Sequence, residues 1–428
     1  MKVNSMRFLD RWVGAPVSAV LTVVRKTGDI LWRKTPLPPR RIIVVKLVEQ
    51  GATVIAEPAL RRATEMVGRG NVFMVVFKEN RFILDVLDVI PEENVITIRS
   101  DGLVVLAIDS LRALWRMRRE RIDTAIDFEF FSRFSGALTY LSGASRRIGF
   151  HSFAGEAGYR GDLMTHRVAY NLTLHASETY RALVEAAAMD ATGLPAMDFR
   201  FDEVPAESKF VPRTGEVEEV ESLLKSLLGR ETIPPLVLLN ANSGDLLPLR
   251  RWAVERYVEM AKKLLARYPD IIVAFTGAPD ERTEAEYLAG QVDSERCVSF
   301  GGRTTLRQLM VLYGLAEVLV TNDSGPAHYA TLTSIDVVTL FGPETPAIFG
   351  ARTPRSHIVW TGLACSPCVN AFNQRITTCT NNMCMQRITV AQVFATVCRV
   401  LEQRYTGESA LKIAPKTEAP PAARGASS

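Results

Sequence analysis

At 428 residues, 47% hydrophobic and 23% charged, the chain is too long for one ordinary domain and has the apolar content to bury two cores. Its net charge of +4 excludes a strongly basic nucleic-acid-binding face spread over the fold. The basic excess is local: residues 1–41 hold nine Lys or Arg against Asp10 and Asp29, and the remainder is slightly acidic.

Between Arg11 and Arg25 no residue is charged. This stretch is shorter than the roughly 20 apolar residues that cross a bilayer. Wound as a helix, it places Phe8, Leu9, Trp12, Val13, Val17, Val20, Leu21 and Val24 on one face. Asp10, Arg11, Gly14, Ser18, Thr22 and Arg25 fall on the other. Such a pattern fits a helix lying in a membrane interface, with Trp12 at the boundary and basic residues toward anionic lipid. A helix packed on the main body is the competing reading. Pro16 interrupts any continuous helix, and the small-residue cleavage site of a signal peptide is missing.

A basic, proline-containing linker from Lys34 to Arg41 leads into Arg41–Lys46, a short β-branched run of the buried parallel-strand type. A turn at Gly51 follows, then a helix from about Pro58. Val72–Phe77 reads as a second strand, Asn94–Ile98 and Leu103–Leu106 as weaker ones, and Ala125–Phe128 as another. Residues 143–171, rich in Gly, Arg and His, read as loops, and Ser177–Gly193 as a helix. Residues 203–216 have the composition of an interdomain linker.

The alternation then restarts. Strands are expected at Pro235–Asn240, Ile271–Thr276, Val318–Thr321 and Val337–Phe341, with helices at Trp252–Tyr268, Thr305–Leu315 and Ala327–Leu332. After Gly407 the composition is that of a disordered tail. The expected fold is therefore α/β, with two Rossmann-like domains facing a cleft, an amphipathic N-terminal helix and a disordered C-terminal tail. The expected divisions are an arm over 1–40, a first domain over 41–210, a second over 217–400 and the tail over 407–428. In such sheets ligands bind beyond the carboxyl ends of the strands. Gly51, Asp127, Asn242, Gly277, Asp323 and Gly342 should then border the cleft.

Asp323-Ser324-Gly325-Pro326-Ala327-His328 is the most informative stretch. It follows a buried strand and opens a helix, where backbone N–H groups and a hydroxyl can cradle a phosphate. A plain helix cap would use the same residue types. Further polar turns at Asn240–Asp245 and Gly277–Glu281, and the pair Arg250-Arg251, belong to the same edge.

Together these segments resemble glycosyltransferase family 9, the ADP-heptose:lipopolysaccharide heptosyltransferases. The resemblance lies in Asp323 to His328, Phe341-Gly342-Pro343-Glu344-Thr345, Arg250 two positions before Trp252, and Gly277 to Glu281. It runs from about residue 41 to 400 and is strongest over 236–345. It implies that Asn242, Ser243 and Arg250, with Arg251 beside them, hold the donor diphosphate, near Gly277. Glu281 would accept the ribose hydroxyls and Thr304 would lie beside the base. Asp323, Ser324, Gly325 and His328 would line the diphosphate and sugar. No metal cofactor is implied for catalysis, because arginines and helix N-termini neutralise the leaving group.

The same resemblance implies a catalytic Asp in a Gly-Asp turn after the first strand. Here the turn reads Glu49-Gln50-Gly51-Ala52-Thr53, and Ala52 cannot take a proton. Either the base has moved or catalysis is lost. Glu129, where an amide is usual, is the first candidate for a relocated base, with Glu49, Asp127 and Glu57 behind it. Arg147, His151, Arg160 and His166 suit a negatively charged acceptor, such as an acidic lipid-linked sugar. Cys365, Cys368, Cys379 and Cys384 are candidates for a structural zinc site.

The reading is an inverting, metal-independent transferase that moves a heptose-like sugar from a nucleotide-sugar donor to a glycolipid or lipopolysaccharide-type acceptor. It would act in the cytoplasm, attached through its N-terminal helix to the inner face of the cell membrane. A nucleotide-sugar epimerase and a catalytically silent glycolipid-binding relative are the rivals. Nucleic acid is not an expected partner.

Overall fold

The β-branched runs of the chain form two parallel sheets. The structure, a computed structural model, describes residues 3–31, 38–201, 209–244 and 246–405. Part of the expected linkers at 34–41 and 203–216, Asp245, and the whole expected tail lie outside the described residues.

The first sheet comprises β1 (Ile42–Val45), β2 (Val72–Phe77), β3 (Val95–Ile98), β4 (Thr124–Asp127), β5 (Arg146–Phe150) and β6 (His166–Val168). Its order is β3-β2-β1-β4-β5-β6, and all its pairs are parallel. The helices of this half are α1 (Val3–Trp12), α2 (Gly14–Leu31), α3 (Gln50–Ile55), α4 (Glu57–Val67), α5 (Phe82–Leu87), α6 (Leu103–Arg119), α7 (Arg133–Leu141) and α8 (Ala176–Ala186).

The second sheet repeats the order with β7 (Leu236–Asn240), β8 (Ile272–Phe275), β9 (Cys297–Ser299), β10 (Val318–Asn322), β11 (Asp336–Phe341) and β12 (Ser356–Trp360). They run β12-β11-β10-β7-β8-β9, again parallel throughout. Its helices are α9 (Glu216–Leu228), α10 (Val254–Arg267), α11 (Arg282–Val292), α12 (Leu306–Leu315), α13 (Gly325–Ala330), α14 (Pro346–Phe349), α15 (Met383–Gln386) and α16 (Val390–Arg404). Central strands β1, β7 and β10 are buried along their whole length, as helices on both faces of a parallel sheet require. In each sheet the strand order reverses beside the first strand, between β1 and β4 and between β7 and β10. Ligands of doubly wound sheets bind at such switch points.

Three sequence expectations are corrected. Leu103–Leu106 is not a strand but the first turn of α6. Its β-branched residues sit on an exposed helix face, and Arg116, Arg118 and Arg119 in the last turn complement the helix dipole. The loops expected over 143–171 contain β5 and β6, whose Arg and His side chains hid the strand pattern. The turn at Gly51 is the start of α3.

The N-terminal arm packs the opposite way round from an ordinary amphipathic helix. Ser18 and Thr22, on the small polar face of α2, are buried against the first half, whereas Trp12, Val20, Val23 and Val24 are each more than half exposed. Asp162 donates its backbone N–H to Thr22 Oγ1 at 2.9 Å, and Arg25 pairs with Asp162 at 2.7 Å. A Cβ at Gly161 would lie 2.7 Å from Thr22 Oγ1 and 2.8 Å from the Ser18 carbonyl, so only glycine admits this approach. Asp10 fixes α1: its Oδ1 accepts from the backbone N–H groups of Arg133 and Phe134, both at 2.9 Å, at the start of α7. The break between α1 and α2 falls at Val13, with Pro16 in the first turn of α2, where a missing N–H costs nothing.

Candidate active site

The carboxyl ends of β1 and β10 face each other, and α3 packs on α13. A Cβ placed on Gly51 would lie 2.8 Å from Cδ2 of His328 and 3.2 Å from Cα of Gly325. Gln50 Oε1 accepts from the Tyr329 hydroxyl at 3.1 Å. The Asp-Ser-Gly motif of one half therefore abuts the turn that follows the first strand of the other.

In the second half the motif is held from behind by Asn322. Its Oδ1 accepts from the Trp252 N–H at 3.0 Å, and its Nδ2 donates to the carbonyls of Ala241 and Asn242 at 3.1 and 3.0 Å. One amide thus ties together three polar turns that are distant in sequence. Ser324 occupies the cap position of α13 without making a side-chain cap; its hydroxyl donates to the Asn322 carbonyl at 3.2 Å. Capping therefore does not account for the serine. Arg251 donates to Asn242 Oδ1 at 3.3 Å and pairs with Glu284. Glu281 accepts from the Ala278 N–H at 2.7 Å, and burial raises its carboxyl pKa. Thr304 follows a turn in which Gly302 donates to the Gly277 carbonyl at 3.0 Å, which brings it to the Gly277–Glu281 edge.

At the centre lies a buried charge ladder. Arg250 reaches Glu344 at 3.3 Å and Asp323 at 4.0 Å. Glu344 also meets Arg375 Nε at 3.0 Å, and Arg375 crosses to the first half to pair with Glu49. Asp323 Oδ2 is buried and accepts no hydrogen bond. Burial, reinforced by the neighbouring Glu344 carboxylate, pushes the Asp323 carboxyl well above the usual range. Burial alone would raise Glu49 as well, but Arg375, Lys46 and Arg250 outweigh it and hold that carboxyl below its usual value. Burial lowers His328 to about 4, with Arg250 next in weight, so the ring is neutral at pH 7.

Sequence reasoning missed Arg375 and Glu344 as members of this centre. Arg375 sits at the end of an irregular turn, with φ of 56°, in the cysteine-containing loop. That loop crosses to the first half: Phe372 packs on Phe131 and Tyr170 with ring centroids 5.6 Å apart, and Gln374 donates to the Phe131 carbonyl at 3.3 Å. No periodicity marks Arg375 in the sequence, because its place depends on these tertiary contacts and on the Phe349 ring 5.0 Å from its guanidinium carbon.

The first-half candidates divide into those that face the cleft and those spent on the framework. Glu49 is in the cleft, three residues before Ala52, with the left-handed φ of 68° ahead of α3. Glu129 Oε1 accepts from the Leu47 and Val48 N–H groups at 2.6 and 3.0 Å and from Lys46 Nζ at 3.3 Å, which pins the end of β1. Asp127 is fully buried and pairs with Arg160 at 2.6 Å, and burial pushes its carboxyl up to about 6. Glu57 pairs with Arg61 on its own helix.

The basic cluster expected to meet an acidic acceptor is turned inward. Arg147 donates to the carbonyls of Leu163 and Ala144, both at 2.8 Å. Arg160 is committed to Asp127, and His166 is enclosed between Thr165 Oγ1 at 2.8 Å and Arg146 at 3.0 Å. A buried charge must find partners within the fold, and these have done so. His151 is the half-buried member, meeting Phe153 edge-on with ring centroids 4.9 Å apart.

The cysteines do not suit a metal. Among the described residues no three His, Cys, Asp or Glu side chains come together to hold an ion. Cys365 and Cys379 are exposed, whereas Cys384 is buried against Gly342, where burial raises its thiol pKa. The expected zinc site is therefore withdrawn, and the loop's observed contribution is to carry Arg375 into the cleft.

A family profile described as glycosyltransferase family 9 (heptosyltransferase) matches residues 111–376. Lipopolysaccharide heptosyltransferase 2 of Salmonella typhimurium is 34% identical over 113 residues, covering 26% of this chain and 31% of that protein. The protein of the same name from Escherichia coli is 33% identical over 112 residues, with the same coverage. The matched stretch thus spans about a third of the length of these curated relatives. Among solved structures, E. coli ADP-heptose lps heptosyltransferase II superposes with a TM-score of 0.63 at 18% identity over 86% of this chain and all of that one. E. coli heptosyltransferase WaaC with ADP-2-deoxy-2-fluoro heptose gives 0.55 at 16% identity, over 84% of this chain and 99% of that one. At these identities the superpositions establish the shared two-sheet fold.

Proposed function

The chain belongs to glycosyltransferase family 9, and on that footing we propose that it transfers a heptose-like sugar from a nucleotide diphosphate donor to a lipid-linked saccharide. The observation that carries this reading is the contact of His328 and Gly325 with the turn at Gly51, beside the Arg250–Asp323 and Arg375–Glu49 pairs. The relatives' names, among them a structure with an ADP-heptose analogue, support the donor class.

Donor-side roles follow from position. Arg250 and Arg375 supply the positive charge that a leaving diphosphate needs in a water-poor site, so the reaction proceeds without a divalent ion. Asn242, Ser243 and Arg251 complete the diphosphate wall, Glu281 takes the ribose, and Thr304 borders the base. Asp323, whose carboxyl is pushed upward by burial and by Glu344, hydrogen-bonds the sugar. Neutral His328 closes the floor against Gly51.

The base has moved from the position of Ala52. Direct displacement with inversion needs one carboxylate beside the acceptor hydroxyl. Glu49 fits better than Glu129, because one Glu129 oxygen already serves two backbone N–H groups and Lys46. A diphosphate entering between Arg250 and Arg375 draws positive charge away from Glu49 and raises its basicity as transfer begins. The place of action is a membrane surface on the cytoplasmic side. The exposed apolar stripe of α2 supports this, and among the described residues no helix is long and apolar enough to cross a bilayer.

The test is binding and slow hydrolysis of ADP-, GDP- and UDP-sugars in the presence of a chelator, with Glu49→Gln, Glu129→Gln and Asp323→Ala. One donor should bind and turn over, lose turnover but not binding in Glu49→Gln, and lose affinity in Asp323→Ala. Loss confined to Glu129→Gln in a folded protein would return the base to Glu129. Binding of no nucleotide sugar would favour the catalytically silent relative.

A further inference from the structure

A cavity of about 560 Å³ lies beside the charge ladder, between the N-terminal arm, α6 and α7. Its size falls within the range of about 300–1,000 Å³ typical of small-molecule sites. Its walls are mostly aliphatic and aromatic: Leu9 and Val17 come from the arm, Leu106 and Ala107 from α6, and Phe134 and Ala137 from α7. Its polar groups include Glu49, Glu129 and Arg375. The cavity therefore joins the reacting end of the cleft to the side of the molecule where the arm lies.

At that side the cavity opens. Val13, Val17 and Leu103 border it and are 52%, 41% and 56% exposed. Beyond this rim both flanking elements turn apolar residues outward: Trp12, Val20 and Val24 from the arm, and Val104, Leu111 and Trp115 from α6. Arginines flank the two tryptophans, Arg11 at 5.7 Å from the Trp12 ring and Arg119 at 5.3 Å from Trp115. Exposed apolar faces with tryptophan and arginine at their edges match a lipid–water boundary. Arg7 closes the arm over the cavity by donating to the Leu246 carbonyl of the second half at 3.2 Å.

We infer that this cavity takes one aliphatic chain of the lipid-linked acceptor, drawn from the membrane between the arm and α6, with the acceptor's sugar at Glu49 and Arg375. The inference rests on the transferase reading and adds to it a chain-binding site that places the acceptor. An apolar channel ending at charged groups is complementary to an amphiphile with a polar head and a single extended tail. A sugar alone would leave the apolar walls facing water. A surface-bound helix alone would account for the exposed stripe but not for the hollow behind it.

The experiment is isothermal titration of the full chain with methyl, hexyl, octyl and decyl glucoside, each below its micelle concentration. Affinity should rise roughly fourfold per added methylene until the cavity is full. Ala107→Trp, on the exposed side of α6, should abolish the dependence on chain length while leaving ADP-sugar binding and sedimentation with anionic vesicles unchanged. Ala137→Phe fills the opposite wall and decides the matter if Ala107→Trp does not fold. Equal affinity for methyl and decyl glucoside overturns the inference, as does a chain-length dependence that survives both fillings. If alkyl glucosides bind as expected and no nucleotide sugar does, the cavity stands and the transferase reading falls.

Discussion

Arg375 and Glu49 pair across the cleft, and the same guanidinium meets Glu344 through Nε at 3.0 Å. One side chain from an irregular loop thereby neutralises a carboxylate from each half, and its guanidinium carbon also lies 5.0 Å from the Phe349 ring centroid. Arg375→Gln would leave Glu344, which is 2% exposed, with Arg250 as its one counter-ion among the described residues. Removing one member of a buried pair costs about 3–5 kcal/mol. Urea unfolding of Arg375→Gln should show a loss of that order, with partial recovery in Arg375→Lys. An unchanged midpoint would mean that the ladder carries no net stability.

Gly51 sets the distance between the halves. Gly51→Ala places a methyl 2.8 Å from the His328 ring and 3.2 Å from the Gly325 backbone, closer than carbon atoms pack. The ring can turn aside, but the Gly325 backbone cannot move without shifting α13. A cost of about 1–3 kcal/mol is expected for such overpacking. Small-angle scattering should show a wider arrangement, and nucleotide-sugar affinity should fall because the Asp323 turn moves with α13. Unaltered scattering and affinity would show that the contact is slack.

Two buried groups pull the pH dependence in opposite directions. His328 is lowered to about 4 from an ordinary value near 6.5. The unfolded chain therefore takes up the proton first, and the stability due to a neutral His328 is full above about pH 6.5 and lost as pH falls toward 4. Asp127 is raised to about 6, so its protonated form favours the folded state below about pH 4, and that contribution is lost as pH rises through 6. Each effect is at most about 3 kcal/mol. Denaturant titrations between pH 4.5 and 7 should show wild type minus His328→Gln gaining stability with pH and wild type minus Asp127→Asn losing it. Parallel curves for both variants would refute the assigned shifts.

The regular part of this molecule was legible because buried parallel strands are nearly continuous apolar runs. Ile42–Val45 and Val318–Asn322 announce themselves, and the Asp-Ser-Gly turn follows from its place after a strand. What escaped reading depends on tertiary partners. β5 and β6 carry arginines and histidines whose bonds to Leu163, Ala144 and Met189 form only after folding. Those partners also turned the expected acceptor-binding cluster inward. Arg375 lies in a turn with positive φ, where no periodicity exists to read. The arm showed its two faces in sequence, but which face packs inward was decided by Gly161 and Asp162, about 140 residues away.

That inversion makes attachment and folding separable in the arm. Val20 is 62% exposed on the outward stripe of α2, whereas Asp10 holds α1 against the first N–H groups of α7. Val20→Glu places a charge where an apolar group of about 1.5–3 kcal/mol would otherwise be buried in lipid. It should weaken sedimentation with anionic vesicles by about tenfold or more and leave thermal unfolding unchanged. Asp10→Ala should do the reverse. It frees two backbone N–H groups and Nη1 of Arg133, costs about 1–2 kcal/mol and exposes the Val13 junction to protease. Vesicle binding should then survive, because the apolar stripe of α2 is intact. If Val20→Glu destabilised the protein as much as Asp10→Ala, the stripe would be a packing face in solution and the membrane surface would lose its principal support.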